Sequence, residues 1–129
     1  MRLLLDTHVV LQQLEGSLAL SRGAREAIER ASDLLFSVVS FAEIGVKAAI
    51  GKLSIPLGLR EHVLNSGVQV LPLDAQHGLA VAGLPMHHRD PFDRLLVAQA
   101  RSERLTIVTA DRRIAAYDVP VIDAGGSAT

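Results

Sequence analysis

Short apolar strand-like runs that alternate along the chain with segments of helical apolar spacing predict an α/β fold, a central parallel sheet with helices on both faces. Two further observations support this class. The runs at 3–5, 34–39 and 105–108 are continuously apolar, as strands buried on both faces must be. A length of 129 residues suits one domain, large enough to bury about two-thirds of the surface its unfolded chain would expose.

Residues 2–5 read as the first strand, stopped by Asp6-Thr7-His8, after which Val9, Val10, Leu11 and Leu14 resume at helical spacing. Residues 21–31 form an amphipathic helix with Ser21 as N-cap, an Arg25–Glu29 pair four apart, and Ala24, Ala27, Ile28 and Ala31 on one face. The run at 34–39 is the second strand. Ser40 opens a helix to about residue 50, closed by Gly51. A connector fixed by Pro56 leads to a short helix at 59–65, ended by Gly67. A strand at 68–71 and a helix at 75–84 follow, then a polar loop at 85–89. Asp90 opens a strongly apolar helix to about 103, and the remaining elements are a strand at 105–109, a helix at 111–117 and a strand at 119–122. One domain is expected over 1–122, with 123–129 as a small, polar, flexible tail.

Composition narrows the function. With no cysteine, thiolate chemistry and thiolate zinc sites are excluded. A net charge of −1 gives no global basic field, and 3% aromatic residues argue against base-stacking platforms. Any nucleic-acid contact must therefore come from local basic residues and from metal. Asp6 interrupts the N-terminal apolar stretch too early for a signal peptide. No run approaches the roughly 18 apolar residues of a membrane span. A soluble, cytoplasmic protein is expected. The apolar share of 49% points to surface covered by a second subunit or a partner.

Four acids stand at four joins between strands and helices. Asp6 follows the first strand, Glu43 lies in the first turn of the helix opened by Ser40, Asp93 lies in the first turn after Asp90-Pro91, and Asp111 follows the strand ending at Thr109. In a parallel sheet such joins share the carboxyl edge, where ligands bind. Taken singly, each acid is explained by capping: Ser40-Phe41-Ala42-Glu43 fits the capping box, Asp90-Pro91-Phe92-Asp93 fits a cap with proline at the first helical position, and Asp6 and Asp111 can cap their own helices. Together they would repel one another, and a divalent cation removes that conflict. Oxygen-only ligands select Mg²⁺ or Mn²⁺. The natural chemistry is phosphodiester hydrolysis by a water activated for in-line attack.

The remaining polar residues rank lower. Asp90 is better read as a cap and Asp123 as a surface acid. His8 is expected to be hydrogen-bonded at a helix start, His62 and His77 carry no signal, and adjacent His87 and His88 point apart, which disfavours a two-histidine metal site. Thr7 and Thr109 can hold a carboxylate or water, or serve as local caps. Lys47 either joins the site or forms an ordinary pair with Glu43, worth about 0.3–0.5 kcal/mol. Arg94, Arg112 and Arg113 flank the proposed edge and can hold phosphates.

The segments LLLDTHVVLQQL, SVVSFAEIGVKAAIGKL, LPMHHRDPFDRLLVAQA and IVTADRRIAAY resemble the PIN domain, above all its VapC-type toxin branch. The resemblance implies a three-layer α/β/α fold and an endoribonuclease dependent on Mg²⁺ or Mn²⁺, acting on structured RNA such as tRNA or rRNA. It places the metal-binding acids at Asp6, Glu43, Asp93 and Asp111, while Thr7, Lys47, Arg94 and Arg112 are expected toward substrate from their positions beside them. It also implies a homodimer silenced by a small VapB-type antitoxin. The alternatives are a metal-dependent DNA nuclease, phosphotransfer through Asp6, and a non-catalytic protein-binding domain. The phosphotransfer pattern asks for a second aspartate where His8 stands.

Overall fold

The structure, a computed structural model, describes residues 1–16 and 20–125. Five parallel strands form one sheet in the order β3-β2-β1-β4-β5. In chain order the elements are β1 (Arg2–Leu5), α1 (Thr7–Glu15), α2 (Arg22–Arg30), β2 (Asp33–Ser37), α3 (Val38–Ala49), α4 (Leu59–Asn65), β3 (Gln69–Leu71), α5 (Ala75–Ala80) with a 3₁₀ turn (Val81–Gly83), α6 (Pro91–Glu103), β4 (Thr106–Thr109), α7 (Arg112–Ala115) and β5 (Val121–Asp123). Among the described residues no helix is long and apolar enough to cross a membrane.

Alternation along the strands divides the core between two faces. Leu4, Leu35 and Ile107 pack with Leu96, Val97 and Ile114 from α6 and α7. Leu3, Leu5, Phe36 and Val108 pack with Val9, Ala24 and Val63 from α1, α2 and α4. The result is a three-layer α/β/α domain with β1 at its centre. Because every strand runs the same way, Leu5, Ser37, Leu71 and Thr109 all end at one rim.

Several boundaries differ from the sequence reading. The second strand stops at Ser37, and α3 begins at Val38 rather than at Ser40. The Ser37 hydroxyl accepts from the Val39 amide and donates to Gln99 on α6, so it is the N-cap. Ser40 instead accepts from Thr7 and makes no capping box with Glu43, which lies a full turn deeper than expected. The helix expected at 75–84 breaks after Ala80 into the 3₁₀ turn. At its start, Asp74 and the buried His77 form a capping box, and His77 Nε2 also meets Glu103 at 2.9 Å. Two residues of the expected C-terminal tail are built into the fold. Asp123 belongs to β5, and buried Ala124 is tied at both backbone groups, its amide to Thr109 O and its carbonyl to the Ser21 amide. The rest of the expected tail, 126–129, lies outside the described residues.

Arg94 departs most from expectation. It does not face the rim to meet phosphate but is buried beneath the segment joining the 3₁₀ turn to α6. Its guanidinium donates to the carbonyls of Val81, Leu84 and Pro85 at 2.8–3.2 Å and to the Tyr117 hydroxyl at 3.1 Å. Tyr117 in turn accepts from the His88 amide and donates to its carbonyl. One cation thus holds the loop that carries His88 and Asp90 to the rim.

Removing that cation strands several buried carbonyls, each costing on the order of 1–3 kcal/mol. Arg94→Met should therefore destabilise the protein by about 3 kcal/mol or more in urea unfolding, whereas Arg112→Ala should change stability by less than about 0.5 kcal/mol.

Candidate metal centre

Asp6 directly follows the central strand, its amide bonded to Val108 O. It occupies the N-cap position of α1 but makes no side-chain cap, so its carboxylate is not spent on its own helix. It is 3% exposed. Thr109 Oγ1, from the end of β4, donates to Oδ2 at 2.7 Å, while Oδ1 is buried with no hydrogen-bond partner among the described residues. Burial raises the pKa of Asp6, the Thr109 bond opposes that rise, and the charge of Glu43 adds to it.

Glu43 reaches the same place from α3 and is 1% exposed. Lys47 Nζ lies 2.6 Å from its Oε2, and Oε1 is a second buried oxygen without a partner among the described residues. Asp93, in the first turn of α6, is also buried. Burial first, then the charges of Asp6, Asp90 and Glu43, push its pKa up to about 7. Asp90 caps α6 through Oδ1, accepting from the Phe92 and Asp93 amides at 2.8 and 3.3 Å.

These side chains converge unequally. Glu43, Asp90 and Asp93 each offer a ligand atom within 4.8 Å of the others, and so do His88, Asp93 and Asp111. Asp93 is common to both groups. Asp6 stands outside them, although its charge acts on Asp93. Asp111 differs from the other acids. It caps α7 through the Arg113 amide and is paired with the Arg113 guanidinium at 3.1–3.2 Å. Partial burial raises its pKa, but the Arg113 bonds outweigh this and hold it below the usual carboxylate range.

Of the residues expected to face substrate, Thr7 turns inward, donating to Ser40 at 2.7 Å in the core. Arg94 serves the loop as described, Lys47 is engaged with Glu43, and Arg112 is exposed beside Asp111.

His88 is the residue that the sequence reading missed. It is buried, with Nε2 2.7 Å from Asp93 Oδ2 and 3.7 Å from Asp111 Oδ2. Its Nδ1 accepts from the Asp90 amide at 3.3 Å. Nε2 faces the two acids but is buried with no hydrogen-bond partner among the described residues, and it is one of the ligand atoms of the His88–Asp93–Asp111 group. The available signal was its position five residues before Asp93, in a segment too short to reach far from the rim.

The donor set fits a hard divalent cation. Two buried carboxylate oxygens, Asp6 Oδ1 and Glu43 Oε1, lack any donor among the described residues, and an ion would supply the missing charge. Asp6, Glu43 and Asp93 are the side chains that would hold it. Ions such as Mg²⁺ keep several waters, so direct contact from every acid is not required.

The raised pKa of Asp93 makes the stability of the fold depend on pH. Its proton is held more tightly in the folded protein, at about 7, than at the ordinary value of 3.8. The associated stability is fully present below about pH 4 and is lost as pH rises through about 7. The melting temperature of ion-free protein should fall across that window, and millimolar Mn²⁺ should offset the fall increasingly as pH rises, since binding displaces the proton. Asp93→Asn should flatten the pH dependence and reduce the Mn²⁺ effect, as read by thermal melts with Mn²⁺ or EDTA.

Comparison with known proteins agrees with this architecture. The family model of the PIN domain matches residues 3–120. Ribonuclease VapC22 of Mycobacterium tuberculosis is 32% identical over 124 residues, spanning 91% of this chain and 92% of that protein. Among solved structures, VapBC2 from Rickettsia felis, bound to a promoter DNA fragment, is similar at a TM-score of 0.71 and 12% identity, covering 97% of this chain and 100% of that one. DNA-bound VapBC from Salmonella typhimurium gives 0.69 and 18% identity, covering 97% and 99%. At such identities the solved structures speak for the fold, while the family match and the curated relative speak for descent. The chain belongs to the PIN-domain family.

Proposed function

We propose that this protein is a metal-dependent endoribonuclease toxin that hydrolyses phosphodiester bonds in structured RNA, tRNA or rRNA, and is silenced by a small VapB-type antitoxin. One observation carries the reading: buried, unpartnered oxygens of Asp6 and Glu43 at the rim where Asp93 also lies. The relative named as a ribonuclease and the fold shared with VapBC complexes support the same class.

Mg²⁺ or Mn²⁺, when bound, supplies positive charge to the phosphate and a water of lowered pKa. The chain's part is to place the acids. Thr109 fixes Asp6 by one oxygen and leaves the other for the centre. Glu43 presents Oε1 from α3, and Asp93, in the first turn of α6, is a further buried carboxylate that would help hold the ion. Asp111 borders the centre beside Arg112, whose exposed guanidinium can meet an RNA phosphate. Fixed dipoles and charges placed before the reaction need no reorganisation during it.

An apolar groove of about 380 Å³ runs between α3 and the connector before α4, lined by Phe41, Ile44, Ile55 and Leu57. Ile50, Ile55 and Leu57 beside it are exposed. This surface suits an amphipathic segment of the antitoxin, and the reading includes a homodimer in solution.

Incubation of the purified protein with total RNA and Mn²⁺ tests the activity. RNA should be cut, single-stranded DNA should be cut far more slowly, and Asp6→Asn or excess EDTA should lower the rate by at least about 100-fold. Cleavage that persists in either control would rule out this centre as its source.

A further inference from the structure

Glu43 and Lys47 are one turn apart on α3, a spacing that on most helices gives a solvated pair. Here the Glu43 side chain is 2% exposed and the Lys47 side chain 24%, with Nζ on Oε2 at 2.6 Å. The ammonium therefore sits in the field of the acids that make up the Glu43–Asp90–Asp93 group. Other cations nearby are committed elsewhere, Arg94 to loop carbonyls and Arg113 to Asp111. Among the described residues, Lys47 is the one lysine or arginine ion-paired with Asp6, Glu43 or Asp93.

We propose that Lys47 is a built-in counter-ion of the acid centre, holding Glu43 in the ion-free protein and competing with the divalent ion for that carboxylate. The proposal rests on the reading of Asp6, Glu43 and Asp93 as a metal centre. A tethered ammonium acts at a high effective concentration without having to be recruited from solution. It offsets part of the repulsion among three buried acids, which keeps the ion-free fold tolerable. The same charge makes Glu43 a weaker partner for a divalent ion, because a carboxylate already paired has less attraction to offer. Lys47 thereby sets the ion concentration at which the centre loads. It is a positioning residue acting through Glu43, and its effect is on loading before any RNA is present.

The test is Mn²⁺ titration of the full-length, RNA-free protein, with free Mn²⁺ read by electron paramagnetic resonance. Lys47→Met should bind Mn²⁺ roughly tenfold more tightly than the wild type. It should also melt at a lower temperature without ions and regain more on adding Mn²⁺. Lys47→Arg keeps the charge and should stay within about threefold of wild type. In a Glu43→Gln background, Lys47→Met should no longer tighten binding, since the shared carboxylate is gone. Lys47→Gln serves as the uncharged variant if the methionine form does not fold.

Unchanged affinity in the uncharged variants would make the pair an ordinary helix contact and overturn the proposal. Weaker affinity would overturn it too, by showing that Lys47 orients Glu43 in favour of the ion. Failure of the wild type itself to bind Mn²⁺ would sink the metal-centre reading and this inference with it, an outcome distinct from the other two.

Discussion

The constraint that governs this molecule is the crowding of like charge where water is scarce. Asp6, Glu43 and Asp93 are all nearly inaccessible, and two of their oxygens face no donor among the described residues. A fold free to minimise its own energy would not gather them. It does so because three separate devices hold the acids in place from behind. Thr109 grips Asp6, the Asp90 cap fixes the first turn of α6, and Arg94 fastens the loop leading into that turn. Each device satisfies backbone or hydroxyl groups completely, so the unsatisfied groups are confined to the rim. Among the described residues, the buried side-chain atoms left without a partner, on Asp6, Glu43 and His88, all lie near this rim.

Much of the scaffold was legible because burial on both faces leaves a direct mark on composition. The runs around Leu3–Leu5 and Ile107–Val108 could hardly be anything but interior strands. The error at Ser37 and Ser40 has a physical origin. Val38 and Val39 are β-branched and extend the apolar run, so the strand seemed to continue. The helix start is decided instead by Gln99, which accepts from Ser37 across 62 positions of sequence. Nothing local announces that contact.

The candidate site shows the same division. Glu43 and Lys47 could be paired from spacing alone, since residues four apart share a helix face. Arg94 could not be judged by its nearness to Asp93 in sequence. Successive residues on a helix are turned by about 100°, and that rotation carries Arg94 from the rim to the loop carbonyls. His88 was obscured because the pair His87-His88 was weighed as two ligands, when one imidazole suffices to face Asp93 and Asp111. Asp111 appears in both accounts as a capping acid, and its tie to Arg113 sets it apart from the three that are more deeply enclosed.

The bond from Thr109 to Asp6 joins positions 103 apart. The strand that delivers the hydroxyl partner of Asp6 is made 103 positions after it, and β1 cannot take its central place until β4 arrives beside it. The rim therefore stays incomplete until that later strand has joined the sheet. The order of strands in the sheet thus makes the acid centre a product of long-range assembly, which no local segment of the chain can form by itself.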